Sequence, residues 1–424
     1  MAALLSDTYR EVCLWQTQAE PPSPPLGPPP TQADLVIIGA GLCGLAAAAT
    51  AARAGRSVVV LDKERVGWGA SSRNGGMVIP ELKAGPTTLV KKYGDNGRRM
   101  FAEVNEAFDF VEDLATTEIE CDYRRSGMLM LAHSDFQVRG VRHDAEDMQA
   151  HGSPARFLSR DQLDTEIGSS AFAAGMVLER TGGLHPAQFH AGMARRALDS
   201  GAAIHDRTAA INLVGRPGFH HVTTTRGEIV ARDVFVATNA YADNVLPWLA
   251  KRVTPVASYI IATAVLEPDL ASSVSPTGRM MVDTKNLLFY WRLTPDGRLA
   301  FGGRRTLDPV DVTTARDFLY DSMVRLHPQL SGTPIDFAWG GNVAITLDRM
   351  PHAGRHDGAW YATGCNGSGV ATNTWLGHRI AQHLTGQADM PAVARLRHSA
   401  IPLAKLSSSY LPLVSRYFTW QDSR

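Results

Sequence analysis

Three glycines, Gly39, Gly41 and Gly44, form a G-x-G-x-x-G pattern directly after the apolar run 35–38. Each has a mechanical use. The first permits a tight turn, the second lets backbone approach a pyrophosphate, and the third lets a helix pack close to the strand. Residues 45–54 are small and read as that helix, closed by Gly55. Residues 57–61 read as a second buried strand ending in Asp62. An acid about 20 residues beyond the first glycine is placed to hydrogen-bond a ribose. The pyrophosphate would rest on the helix N-terminus, where free N–H groups and the dipole favour negative charge. Strand, glycines, helix, strand and acid in that order predict dinucleotide binding. An Ala-rich core helix would explain neither the spacing nor the acid. A membrane span over the uncharged stretch 35–52 is disfavoured, because the turn interrupts it and its glycines and alanines are weakly apolar.

Further candidates lie in three other stretches. After Asp62 comes the glycine-dense run 63–77, with Trp68, Ser71, Ser72, Arg73, Asn74, Gly75, Gly76 and Met77. Short side chains there let backbone approach a flat or phosphorylated ligand, and the competing reading is a surface loop. Residues 234–237 read as a buried strand running into Thr238, Asn239, Ala240 and Tyr241, as an open α/β sheet presents strand ends to a ligand. Near the end, Gly364, Gly367 and Gly369 lead into a helix over 370–385, beginning at Val370, whose N-terminus would face the same ligand. His352 and His356 are four apart, but Pro351 and Gly354 argue against a helix, so no metal site is expected. His185 and His190 read as turn and helix-surface residues, and Cys365 as a packing cysteine.

The 424-residue length suggests two or three domains, and 44% apolar with 20% charged residues is the composition of a soluble globular protein. Forty-two basic and 42 acidic residues balance, so no global field argues for nucleic acid or anionic lipid. Four cysteines without metal spacing fit a reducing compartment, and the N-terminus shows no secretory signal, so a cytoplasmic protein is expected. Residues 1–32 read as a leader. Proline fills seven of the ten positions 21–30, which predicts an extended strap, with Trp15 available to dock on the body. Residues 87–115 read as one helix, and 133–150 as another. From 255 to 334 branched and aromatic runs between turn formers predict an antiparallel sheet followed by a helix over 313–328. The expected fold class is α/β: a Rossmann-type dinucleotide domain built from 33–90, 155–254 and 335–390. A mostly antiparallel α+β substrate domain, 91–154 and 255–334, is inserted into it, and 391–424 form a C-terminal tail.

These motifs resemble the flavin-dependent amine and amino-acid oxidoreductases of the D-amino-acid oxidase and sarcosine oxidase superfamily, with the γ-glutamylputrescine oxidoreductase branch as the nearest likeness. The residues that carry it are 67–76, 237–241, 258–263, 298–304, 339–341 and 348–351, and it extends over nearly all of 33–390. The resemblance implies FAD. Gly39, Gly41 and Gly44 would cradle the pyrophosphate, and Asp62 would hold the ribose where the family more often has Glu. Ser71, Ser72, Arg73, Asn74, Gly76 and Met77 would run beside the ribityl chain and ring. Thr238 and Asn239, with Gly364, Gly367, Gly369 and Val370, complete the implied cofactor site. The family's Ser-Gly-His-Gly run is replaced here by Asn366-Gly367-Ser368-Gly369. Gly341 matches the cysteine that tethers the flavin in sarcosine-oxidase-type members, which implies non-covalent FAD. Ala300 matches the lysine those oxidases place over the flavin.

The chemistry implied is oxidation of a C–N bond by hydride transfer to flavin, followed by imine hydrolysis, with O2 the acceptor and H2O2 a product. A dehydrogenase passing electrons to a quinone or carrier, and a non-catalytic FAD-binding partner subunit, are the alternatives. Tyr290, Arg292 and Trp339 are the expected substrate-binding residues, Arg292 pairing with a substrate carboxylate. The competing reading of Arg292 is a surface-strand arginine near Asp296. Trp291 should point to the opposite face. No protein acid or base is assigned, the partner is a small amine, and neither which amine nor the oligomeric state is legible.

Overall fold

The computed structural model describes residues 3–24, 26–242, 245–402 and 407–423; Pro25 of the proline run and residues 403–406 of the C-terminal segment lie outside them. Two sheets organise the chain. In the first, Gln32–Ile38 pairs in parallel with Val58–Leu61 on one side and Gly227–Val236 on the other, and Val58–Leu61 pairs in parallel with Ala203–His205. The hairpin His352–His356/Ala359–Thr363 joins alongside Gly227–Val236. The central strands are apolar at consecutive positions because both sheet faces are covered. Their register sets Ile38 beside Leu61 and beside Val236. Chain segments ending at Gly39, Asp62, Ala237 and Gly364 therefore emerge along one edge of the sheet.

The helix Leu42–Arg53 covers one face of this sheet and is itself covered by the helix Gly369–Leu384. Small side chains bring the two helices very close: a Cβ at Gly377 would lie 1.9 Å from the Cys43 carbonyl oxygen. The helix Asp95–Asp113 packs on the same layer, with Met100, Phe108 and Val111 in that core. The helix expected over 87–115 is two, Pro86–Tyr93 and Asp95–Asp113, separated by Gly94 at φ +57°. Both join the core beneath the first sheet, whereas Met128–Ala132 pairs in the other sheet, so 91–154 is not one structural segment.

The second sheet has nine strands in the order Leu5–Arg10, Ile335–Ile345, Thr254–Thr263, Leu299–Gly303, Phe289–Leu293, Met280–Asp283, Met128–Ala132, Ala174–Leu178 and Ala155–Ser159. It is antiparallel except at Leu5–Arg10/Ile335–Ile345 and Met280–Asp283/Met128–Ala132. One face packs on the helix Val312–Leu326, with fully buried Trp291 and Phe301 beneath it. Trp291 does point away from Tyr290 and Arg292, as alternation requires. Three boundaries differ from expectation. The strands Ala155–Ser159, Ala174–Leu178 and Ile335–Ile345 belong to this sheet rather than the first, because their hydrogen-bonding partners are its strands. Residues 5–10 of the expected leader form its edge strand, and Trp15 docks on the body. Among the described residues no helix is long and apolar enough to cross a membrane.

The loop between Met280–Asp283 and Phe289–Leu293 is pinned from two sides. Asp283 Oδ1 accepts from the N–H groups of Lys285 (3.3 Å) and Phe289 (3.0 Å). Asp422, beyond the helix Ser407–Gln421, accepts from the N–H groups of Asn286 (2.8 Å) and Leu287 (3.0 Å). Asp283 is 3% exposed, and its Oδ2 has no hydrogen-bond partner among the described residues. Burial pushes its carboxyl up to about 7, against the pull of Lys285.

Two outcomes are expected. Gly377→Val should force the helices Leu42–Arg53 and Gly369–Leu384 apart and cost about 1–3 kcal/mol or more in urea unfolding. Asp283 keeps a proton when folded that it releases when unfolded, so it lowers stability as pH rises from about 4 to about 7. Asp283→Asn should gain stability over the parent across that window and keep a constant gain above it. Urea midpoints near pH 5 and pH 8 check this, and an identical difference at both refutes it.

Candidate functional site

A cavity of about 720 Å³ runs from the edge of the first sheet to the face of the second opposite Trp291. At its first end the chain turns at Gly39, held at φ +111°, where a Cβ would meet the Ala237 carbonyl oxygen at 2.9 Å. Gly39, Gly41 and Asp62 line the cavity. Gly44 does not. It sits a turn inside the helix, where a Cβ would lie 1.9 Å from the Gly39 carbonyl oxygen, so its smallness holds helix to strand. Asp62 accepts from the N–H groups of Ala40 (2.8 Å) and Glu64 (2.9 Å), and burial pushes its carboxyl up. This acid locks the turn and the strand end together.

Ser71, Arg73, Asn74 and Met77 line the middle of the cavity, as do Thr238 and Asn239 from the second segment and Gly367, Gly369 and Val370 from the third. Asn239 Oδ1 accepts from the N–H groups of Gly364 (3.1 Å) and Cys365 (3.4 Å), joining segments 125 residues apart. Gly364 itself stands behind the wall, packed on Thr346 and Met350. Ser72 also faces away; it is 2% exposed and accepts from Gln16 Nε2 at 2.8 Å. Gly76, at φ +72°, lies under the Leu184 carbonyl and the Arg292 guanidinium rather than in the cavity.

Of the expected substrate residues, Tyr290 and Trp339 line the cavity. The Tyr290 hydroxyl is within 3.2 Å of Ser258 Oγ, and Trp339 Nε1–H donates to the Arg73 carbonyl at 2.8 Å. Arg292 does not reach the cavity, and neither of its sequence readings holds. Its Nε–H donates to the Gly75 carbonyl (2.9 Å), its Nη2–H to the Leu184 carbonyl (2.6 Å), and its guanidinium lies 5.2 Å from the Trp15 ring. It is a buried brace, and Asp296 pairs with Arg298 instead. The arginine that lines the cavity beside Tyr290 is Arg304. It has no hydrogen bond or ion pair among the described residues, its Nε is buried, and burial pulls its pKa below the usual value. Its parity was readable in principle: Tyr290 pairs with Gly302, and 304 shares that face.

Two further groups were not foreseen. His190 is 1% exposed and lines the cavity instead of the helix surface. Burial holds its imidazole neutral; Nε2–H donates to the Ala40 carbonyl at 2.8 Å, leaving Nδ1 without a donor. His185 is buried too, capping the helix Pro186–Asp199. Glu81 and Lys83 reach the N-terminus of the helix Gly369–Leu384. Lys83 Nζ donates to Glu81 (2.7 Å) and to Ser368 Oγ (2.9 Å), and Ser368 also donates to Glu81. Burial alone would raise the Glu81 carboxyl, but Lys83 and Ser368 hold it below its usual value. Around the cavity, Thr238 Oγ1, Arg73 Nε, His190 Nδ1, Asn373 Oδ1 and Arg304 Nε are buried with no partner among the described residues. Unmet donors and acceptors on all sides, with glycine turns at three segment ends, suit a long polyoxygenated ligand.

The described residues hold no cluster of potential metal ligands. Comparison with known proteins agrees with the geometry. Residues 34–383 match the family model described as FAD dependent oxidoreductase. The chain is 32% identical over 397 residues to γ-glutamylputrescine oxidoreductase of Escherichia coli K12, covering 92% of each chain. Glycine oxidase from Geobacillus kaustophilus superposes with a TM-score of 0.75 at 20% identity, covering 88% of this chain and 100% of that one. L-proline dehydrogenase from P. horikoshii superposes at 0.71 and 20% identity, covering 86% and 96%. The chain belongs to the family of FAD-dependent oxidoreductases.

Proposed function

We propose that this FAD-dependent oxidoreductase oxidises a C–N bond in a small amine or amino-acid derivative, with the FAD held non-covalently and O2 as electron acceptor. The observation that carries the reading is the continuity of the cavity, from the turn at Gly39 and Asp62 to a sheet face bearing Tyr290, Trp339 and the unpaired Arg304. The likeness to the E. coli γ-glutamylputrescine enzyme supports an amine substrate. Four unpaired cysteines suit a cytoplasmic setting.

Gly39, Gly41, Ser71, Arg73, Thr238, Asn239 and the N-terminus of Gly369–Leu384 would hold the cofactor. When bound, FAD supplies the acceptor for a hydride from the carbon bearing the amine. The chain supplies orientation, dryness and charge. Ser258 fixes the Tyr290 hydroxyl, and Trp339, Ile260 and Val282 wall the cavity with apolar surface. Arg304 offers paired N–H donors to a carboxylate or amide oxygen of the substrate. Its charge also disfavours an ammonium nearby, which keeps the reacting amine in the neutral form the chemistry requires. The resulting imine takes up one water and splits into a carbonyl compound and an amine.

A dehydrogenase using a quinone or carrier is the second reading. Ala300 is packed with Ile260, Ala262 and Trp339 at 4% exposure, so no lysine stands at the position matched to the oxidases' lysine.

The holoenzyme mixed anaerobically with a panel of amines should lose its flavin absorbance with at least one, and air should restore it with release of peroxide. Bleaching with slow recovery in air supports the dehydrogenase, and no bleaching by any amine refutes amine oxidation. Arg304→Ala should raise KM for the best carboxylate-bearing or amide-bearing amine roughly 10- to 100-fold while leaving kcat within a few-fold. Acid precipitation should release all the flavin to the supernatant, and a yellow pellet would overturn non-covalent binding.

A further inference from the structure

The run 63–77 joins the ladder of neither large sheet; at its end Met77–Val78 pairs with Gly182–Gly183 in a small separate two-stranded sheet. Its carbonyls therefore need partners from elsewhere, since an unpaired buried carbonyl is costly. Side chains supply them in sequence. The Ser72 carbonyl accepts from Cys13 Sγ–H (3.9 Å), Arg73 from Trp339 (2.8 Å), Asn74 from Trp15 (3.0 Å) and Gly75 from Arg292 (2.9 Å). Gln16 Nε2 adds bonds to the Gly67 carbonyl (2.6 Å) and to Ser72 Oγ (2.8 Å). Three of these residues, Cys13, Trp15 and Gln16, come from one short N-terminal stretch that precedes the matched family region 34–383.

The same stretch is anchored to the other body. Leu5–Arg10 is the edge strand of the nine-stranded sheet, Glu11 accepts from Thr313 Oγ1 (3.0 Å), and Gln18 Nε2 donates to Asp296 (2.9 Å). Trp15 is fully buried among Ile260, Ala262, Ala300, Phe337 and Trp339, on the sheet face that carries Tyr290.

We propose that residues 13–16 position the cofactor site from behind its wall. In this reading Trp15 and Gln16 are positioning residues that hold the 67–75 backbone, with its cavity-lining Ser71, Arg73 and Asn74, in register with the Tyr290 face. They do not touch the cavity themselves. Their effect is to pre-order a loop whose freedom would otherwise be lost on binding FAD. The inference rests on FAD occupying this cavity and is independent of which substrate is oxidised.

The test uses the full-length chain and reads FAD binding without substrate. Gln16→Leu keeps the bulk and removes both donors. It should weaken FAD binding roughly 10-fold in fluorescence titration of the apoprotein. The visible circular dichroism of the bound flavin should change as well. Gln18→Leu removes comparable hydrogen bonds, to Asp296 and His185, that do not involve the loop, and should bind FAD as the parent does. Trp15→Phe, which keeps an aromatic ring but loses the N–H to Asn74 and part of the indole packing, should weaken FAD binding a few-fold and is the fallback should Gln16→Leu fail to fold. Equal effects of the Gln16 and Gln18 changes would reduce the stretch to a structural clasp and overturn the proposal. So would parent-like affinity and spectrum in Gln16→Leu or, where that variant fails to fold, in Trp15→Phe. Loss of amine oxidation with FAD binding intact would instead count against the proposed substrate chemistry.

Discussion

A half-buried stretch of backbone that belongs to neither large sheet must have its carbonyls satisfied, and that requirement shapes this molecule around residues 67–76. Four consecutive carbonyls, 72 to 75, are taken by Cys13, Trp339, Trp15 and Arg292. These donors come from the N-terminal stretch and from two strands of the large sheet. The loop that follows the dinucleotide motif is thus fastened by the nine-stranded sheet and the N-terminal stretch as well as by its own short-range bonds, such as Asn74 Nδ2–H to the Ala70 and Ser71 carbonyls. One consequence is that Arg292 is committed to structure. A guanidinium bonded to two carbonyls and pressed against an indole has little left to offer a ligand, whereas Arg304 has every donor free of the described residues.

Charge in the cavity follows from the same division between committed and free groups. Among the acids that line it, Asp62 is engaged by two backbone N–H groups and Glu81 by Lys83 and Ser368, while burial pushes the Asp283 carboxyl up to about 7 and so favours its neutral form. Arg304 has no such partner. The cavity therefore presents positive potential from Arg304 and from the N-terminus of Gly369–Leu384, in surroundings where apolar walls limit screening. Such a field favours anionic groups on a ligand and electron density arriving at the cavity centre.

Much of the fold was legible from local pattern. The strand 35–38, the glycines, the helix behind them, the strand ending at Asp62 and the antiparallel runs near 289–293 and 299–303 appear within about three residues of expectation. Periodicity and turn chemistry report such elements because both act over a few residues. The misplacements share a cause. Residues 155–159, 174–178 and 335–345 read locally as strands, and which sheet they join depends on the remote strand Thr254–Thr263 for 335–345 and on the prior placement of 128–132 for the other two. Gly94 split one helix because its φ of +57° lies outside helical space, although glycine within a helical pattern is often tolerated.

The sequence by itself determined the chemistry on offer: a dinucleotide turn, an acid at its second strand, and two glycine-bearing segments at strand ends. Those properties follow from backbone freedom and spacing along the chain, which tertiary contacts can only use. Tertiary structure alone decided which side chains were available. It took Arg292 and Ser72 out of the cavity, brought Arg304, His190, Glu81 and Lys83 into it, and turned an apparent leader into an edge strand and a brace. A donor is free or committed according to what lies within about 3 Å of it. For a residue on a strand or loop, those neighbours come from remote segments whose approach no local pattern records.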